Sequence, residues 1–127
     1  MLPYLLVAVG GAIGSVLRYG AGIFVGSFWR DSFPLGTMLI NIVGSLVMGL
    51  FVGLMARLLP PWQNEARLFF AVGVLGGFTT FSSYSLDAIS MIERGDMMPA
   101  AFYVVGSVVI GFVGLWLGLW IMRQGVA

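Results

Sequence analysis

Residues 76–85 read Gly-Gly-Phe-Thr-Thr-Phe-Ser-Ser-Tyr-Ser and interrupt the third long apolar segment of the chain at its centre. Two glycines and five Ser or Thr residues stand there, with aromatic rings among them. A plain membrane-crossing helix has no use for such a row, because every hydroxyl held away from water needs a partner. How this stretch is read decides whether the segment is one helix or two.

The surroundings place the question in a bilayer. Of 127 residues, 60% are hydrophobic and 9% charged, and the mean hydropathy of +1.04 lies outside the range of soluble domains. Four apolar stretches, 4–27, 35–56, 67–92 and 98–122, each supply the roughly 20 residues a helix needs to cross the hydrocarbon. The expectation is an all-α membrane protein, a single four-helix transmembrane domain over residues 1–127. The first stretch lacks a basic start and runs on as apolar sequence past Arg18, so it reads as a retained helix and not a cleaved leader.

The composition also excludes chemistry. With no cysteine and no histidine, thiolate nucleophiles, disulfides and imidazole-based sites are out of reach. The acidic residues Asp31, Glu65, Asp87, Glu93 and Asp96 are scattered along the chain. Neither an enzyme nor a nucleic-acid partner is expected. All six basic residues are Arg. If the helices alternate in direction, Arg57, Arg67 and Arg123 fall on the side of the termini, Arg30 and Arg94 on the other, with Arg18 near the far end of the first helix. That near balance leaves two outcomes open: one orientation favoured by a small margin, or insertion both ways, which permits an antiparallel dimer. Four helices enclose little space, so a solute pathway fits between two copies better than inside one.

Breakers mark the connections: Ser32-Phe33-Pro34-Leu35-Gly36-Thr37, Pro60-Pro61, and Arg94-Gly95-Asp96 with Pro99. Trp29, Trp62 and Trp120 fall near segment ends, where interfacial anchors belong. Small or polar residues recur every four positions: Gly10, Gly14 and Arg18; Thr37, Asn41 and Ser45; Tyr103, Ser107 and Gly111, with Gly106, Gly114 and Gly118 nearby. The glycines read first as close-packing faces. Asn41 is different, since a carboxamide at membrane depth must face an interior or a wet cavity, or bind two helices together. Arg18 can snorkel to the headgroups or, from the glycine face, line a vestibule and attract anions.

Within 76–85, flexible Gly76-Gly77 followed by β-branched Thr79-Thr80 is expected to break the helix. Freed carbonyls there can bind a small cation such as Na⁺, and the new half-helix starts with the positive end of its dipole. Beyond the break, Phe81 and Tyr84 share a face among Ser82, Ser83 and Ser85. The positive edges of two rings, with hydroxyl and amide donors beside them, suit a small anion.

Taken together, GGAIGSVLRY at 10–19, GTMLINIVG at 36–44 and GGFTTFSSYS at 76–85 resemble the CrcB/Fluc fluoride channels over nearly the whole chain. The resemblance implies a multi-pass protein of the prokaryotic cell (inner) membrane that lets fluoride leave passively and so relieves its toxicity. It also implies an antiparallel, dual-topology homodimer with two fluoride pores, a broken third helix and a central structural Na⁺. The family's sodium-binding carbonyls match Gly76 and Thr79, its pore asparagine Asn41, its first pore phenylalanine Phe81 and its helix 1 arginine Arg18. The polar track matches Thr37, Ser82, Ser83, Tyr103 and Ser107. Three positions depart from the usual pattern: Tyr84 replaces the second pore phenylalanine and adds a hydroxyl to the ring box, Asp87 replaces a Glu, and Gly111 replaces a serine found in some members. Two other readings compete. A proton-coupled small exporter of fluoride or drugs would have to use Asp87, and an assembly protein would explain the glycine stripes but not Asn41 beside a hydroxylated break.

The Arg balance generates a topology test. Tags on the C-terminus are expected on both sides of the membrane, and two added C-terminal Lys should bias insertion and lower activity. Accessibility labelling that finds every C-terminus of an active preparation on one side would sink the antiparallel arrangement.

Overall fold

The structure is a computed structural model and describes residues 1–124. Helix α1 spans Leu2–Gly26, with Pro3 in its first turn, where a missing N–H costs nothing. A short connection follows, tied by the Trp29 indole N–H donating to the Phe33 carbonyl (2.9 Å) and by the Asp31 carboxylate accepting from Phe33 N–H (2.9 Å). Helix α2, Leu35–Leu58, ends at Leu59 in the left-handed region (φ 47°), and Pro60 and Pro61 prevent continuation.

The third span is built in pieces. Its first half, α3, is α-helical over Gln63–Ala66, π-helical over Arg67–Leu75 and α-helical again over Gly76–Phe78. Thr79 and Thr80 are extended, and the second half, α4, runs over Phe81–Glu93. Helix α4 closes with a Schellman turn, Gly95 at φ 85° and Asp96 N–H reaching back to the Met91 carbonyl (2.9 Å). Helix α5 spans Met97–Arg123. Each of the four spans is long and apolar enough to cross a membrane, and no strand occurs among the described residues.

These bounds bear out the four expected segments and narrow the break expected over Gly76-Gly77 and Thr79-Thr80 to its second half. The break falls at Thr79 and Thr80, after the glycines, whereas Gly76 keeps helical backbone (φ −62°, ψ −38°). The reason is packing. A side chain on Gly77 would bring its Cβ to 2.6 Å from the Gly11 carbonyl of α1, so this glycine supplies close approach instead of flexibility. Two helix pairs are welded in this way. In the first, Gly10 and Gly14 of α1 lie against the Phe69 and Val74 carbonyls of the π-helical turn. The wider π turn keeps Phe69, Gly73 and Val74 together on the α1 side. In the second, Gly49 of α2 abuts the Leu115 carbonyl of α5, and a Cβ on Gly118 would stand 2.5 Å from the Leu46 carbonyl. Met38, Ala88, Met91, Ala100 and Tyr103 form a buried cluster where α2, α4 and α5 meet. Helix α4 is therefore seated on the second pair, across the break from the first.

Backbone cannot yield as a side chain can, so Gly14→Val should destabilise by about 3 kcal/mol or more. Gly20 faces open space, and Gly20→Ala should change stability by less than about 0.5 kcal/mol. Thermal midpoints of the two variants in the same detergent check both, and equal midpoints would show that α1 and α3 are not in backbone contact.

Candidate functional site

The site is built around the interruption of the third span. Two extended residues in a membrane-deep helix release peptide groups from the helical pattern, and each costs several kcal/mol if left unpaired in hydrocarbon. Asn41 of α2 deals with Thr80: its Oδ1 accepts from Thr80 N–H (2.8 Å) and its Nδ2 donates to the Thr80 carbonyl (3.0 Å). This pairing fixes which way the carboxamide points, because one end must accept and the other donate. The Thr80 hydroxyl caps α4 by accepting from Ser83 N–H (3.2 Å). It also lies 3.3 Å from the Ser82 hydroxyl. On the other stump, the Thr79 hydroxyl and N–H both donate to the Leu75 carbonyl (2.9 and 3.0 Å). Arg18 Nε donates to the Gly77 carbonyl (3.1 Å), a cation at the negative end of a half-helix. The Thr79 methyl rests against Gly44, one turn beyond Asn41 on α2.

Several polar groups remain free. The Gly76 and Thr79 carbonyls lose their usual helical donors, since Thr80 N–H and Ser83 N–H are engaged elsewhere. At the start of α4, the N–H groups of Phe81 and Ser82 lie in the first turn, which offers them no carbonyl of their own helix. Asn41 keeps one amide proton, and the Ser107 hydroxyl is buried without a partner.

An open groove of about 460 Å³ collects Asn41, Ser45, Thr79, Thr80, Phe81, Tyr84 and Ser107, with Val108, Phe112 and Leu115 on its apolar wall. Phe81 is 78% exposed there, and its ring centroid lies 5.8 Å from that of Tyr84. On the other side of Thr80, a hollow of about 290 Å³ is lined by Arg18, Tyr19, Thr37, Thr80 and Ser83. The residues singled out in the sequence thus divide. Asn41, Thr79, Phe81, Tyr84 and Ser107 share the groove, while Arg18, Thr37 and Ser83 share the hollow. Ser82 is exposed beside the cap, and Gly76 is exposed near the end of α3.

Tyr103 belongs to neither space. It is fully buried, and its hydroxyl donates to Asp87 Oδ2 on α4 (3.2 Å). Tyr84, one turn before Asp87, donates its own hydroxyl to the Val104 carbonyl on α5 (2.7 Å). The two tyrosines cross-brace α4 and α5 in opposite directions, their rings 5.2 Å apart. The hydroxyl added to the ring box is therefore tied to backbone. Sequence reasoning missed Gly44, Thr80 as cap and the Val104 carbonyl. For Gly44 a signal existed, a glycine on the face of Asn41 three residues on. A carbonyl partner leaves no trace in residue types.

The family described as "CrcB-like protein, Camphor Resistance (CrcB)" matches residues 5–119. A protein of Agrobacterium fabrum called fluoride-specific ion channel FluC is 50% identical over 124 residues, covering 98% of both chains. Relatives of the same description come from Nitrobacter winogradskyi, 50% identical over 121 residues and 94% of each chain, and from Novosphingobium aromaticivorans, 50% identical over 123 residues and 95% of each. Four membrane-length helices and bacterial relatives across the full length make this a multi-pass prokaryotic membrane protein, and the chain belongs to the CrcB family.

Proposed function

We propose that this protein is a fluoride-selective channel through which fluoride leaves the cell passively, down its gradient. The observation that carries the reading is the bracketed break in the third span, with its free donors and two rings facing one groove. Fluoride is small and strongly hydrated, so a pathway must replace water with hydrogen-bond donors. The spare amide proton of Asn41, the Ser107 hydroxyl and the first N–H groups of α4 are such donors. The ring edges of Phe81 and Tyr84 add positive potential without water. Arg18, Thr37 and Ser83, in the hollow across Thr80, make a vestibule that draws anions toward the break, and Ser82 continues the polar track.

One copy leaves the groove open, which supports a homodimer whose second copy closes it. Near-balanced Arg placement supports an antiparallel, dual-topology pair, and two-fold symmetry then yields two pores. The Gly76 and Thr79 carbonyls suit a Na⁺ at the dimer centre: both lack helical partners, and uncharged oxygens are the ligands a hard cation takes. When bound, the ion supplies positive charge that offsets the exposed carbonyl ends. Tyr103 serves the track from within the bundle by fixing α4. The exporter reading loses its carboxylate, because Asp87 is engaged by the Tyr103 hydroxyl and lines neither the groove nor the hollow.

Two measurements bear on this reading. In liposomes loaded with potassium fluoride and given valinomycin as a charge shunt, a fluoride electrode should record fast efflux that needs no proton gradient and excludes chloride. Flux that follows an imposed proton gradient would restore the exporter. Asn41→Asp puts a like charge in the path at a cost of several kcal/mol in low dielectric, so efflux should fall by at least about 100-fold. Near-normal efflux from the folded variant would remove Asn41 from the anion's path.

The cation is tested separately. Protein prepared throughout in N-methylglucamine should melt at a lower temperature than protein in sodium, and sodium should restore it. Identical midpoints would argue against a structural ion.

A further inference from the structure

The two rings at the break are held very differently. Phe81 projects into the groove with most of its surface free. Tyr84 is fixed at both ends, by its backbone on α4 and by its hydroxyl on the Val104 carbonyl of α5 (2.7 Å). Behind it lies Tyr103, whose ring is 5.2 Å away at 38° and whose own hydroxyl is anchored on Asp87. Tyr103 is fully buried, so the wall behind Tyr84 does not give. A carbonyl oxygen has two lone pairs, so Val104 can accept from Tyr84 as well as from its own helix.

We infer that the Tyr84 hydroxyl is a positioning device for the anion path: by tethering the ring to α5 it fixes the direction of the ring edge, trading throughput for affinity. The inference rests on the fluoride reading above. A tether at the para position stops the long axis of the ring from swinging about χ1, while rotation about χ2 leaves the hydroxyl in place. Rotation about χ2 is limited in turn by the Tyr103 ring packed 5.2 Å behind it, so with the axis tethered the positive edge stays aimed along one line. An edge that needs no reorganisation binds the ion more tightly, and tighter binding slows exit. A phenylalanine at this position would have the same edge without the tether. It would meet fluoride in a spread of orientations, bind it more weakly and release it faster.

The test is a concentration series of initial fluoride efflux from matched liposomes, which separates half-saturating concentration from maximal rate. For Tyr84→Phe, the half-saturating concentration should rise about fivefold, the order of one neutral hydrogen bond, and the maximal rate should rise with it. Replacing Tyr84 by p-aminophenylalanine retains an N–H donor for Val104 and should restore both values. Replacing it by p-methylphenylalanine retains bulk without a donor and should behave as Tyr84→Phe does, which keeps the test available if the latter folds poorly. A bond that only stabilised the fold would lower the amount of folded protein and leave the half-saturating concentration alone. Half-saturation within about twofold of the parent in folded Tyr84→Phe or its p-methyl counterpart, or no restoration by the amine, overturns the inference while the channel stands. A parent protein that carries no fluoride overturns the fluoride reading, and this inference with it.

Discussion

The structure depends on one pairing, the carboxamide of Asn41 with the peptide of Thr80. In water a broken helix costs little, because solvent takes up the freed groups. At membrane depth the same break strands donors and acceptors that hydrocarbon cannot satisfy. A carboxamide offers a donor and an acceptor in one plane, so it can meet a peptide's C=O and N–H as a neighbouring strand would. A carboxylate offers no donor, and a hydroxyl cannot reach both groups at once. The location of the break follows from the pairing. Thr80 is where Asn41 can reach, Thr79 fits because Gly44 leaves room for its methyl, and α4 begins at the next residue.

The packing around the break divides into rigid and adjustable parts. Glycines bring the backbone of α1 against that of α3, and the backbone of α2 against that of α5. Such contacts transmit displacement directly, since no side chain lies between the chains to absorb it. Helix α4 is secured otherwise, by Asn41 at its head, by the crossed tyrosine bonds along its length and by apolar packing at Met91 and Ala88. The element that carries Phe81 and Tyr84 is thus positioned by a few specific bonds.

Much of this was legible in the sequence, and what escaped did so for physical reasons. Four runs of apolar residues locate the four spans, because a bilayer demands length and hydrophobicity and little else. The hydroxyl row at 79–85 signals an interrupted helix, since nothing in a continuous one would require it. The break expected over Gly76-Gly77 and Thr79-Thr80 narrows to the threonines, because counting the glycines in weighed flexibility above close approach. In a membrane bundle a glycine more often marks where two backbones touch, and Gly77 against Gly11 is such a place. The π-helical turn over Arg67–Leu75 could not be read, because no residue preference marks it; what it meets, the glycine face of α1, is set by the fold. Tyr103, which spacing put on one face with Ser107 and the resemblance put on a polar track, is buried: a period-four stripe shows which residues share a face, but not how deep that face lies.

A helix cut in its middle produces two unlike stumps. The end of α3 presents carbonyl oxygens and the start of α4 presents N–H groups, each the charged pole of its own half-helix. In this chain the satisfied groups lie between the stumps, where Asn41, the two threonine hydroxyls and Arg18 are at work. The groups left over are sorted by sign. Oxygens of Gly76 and Thr79 belong to the α3 stump, while the N–H groups of Phe81 and Ser82 open α4 beside the rings. On the reading proposed above, a single interruption supplies both the place for the cation and the place for the anion, a few residues apart. No ionised side chain is needed at either, so a region rich in polar atoms can remain within a span of low net charge.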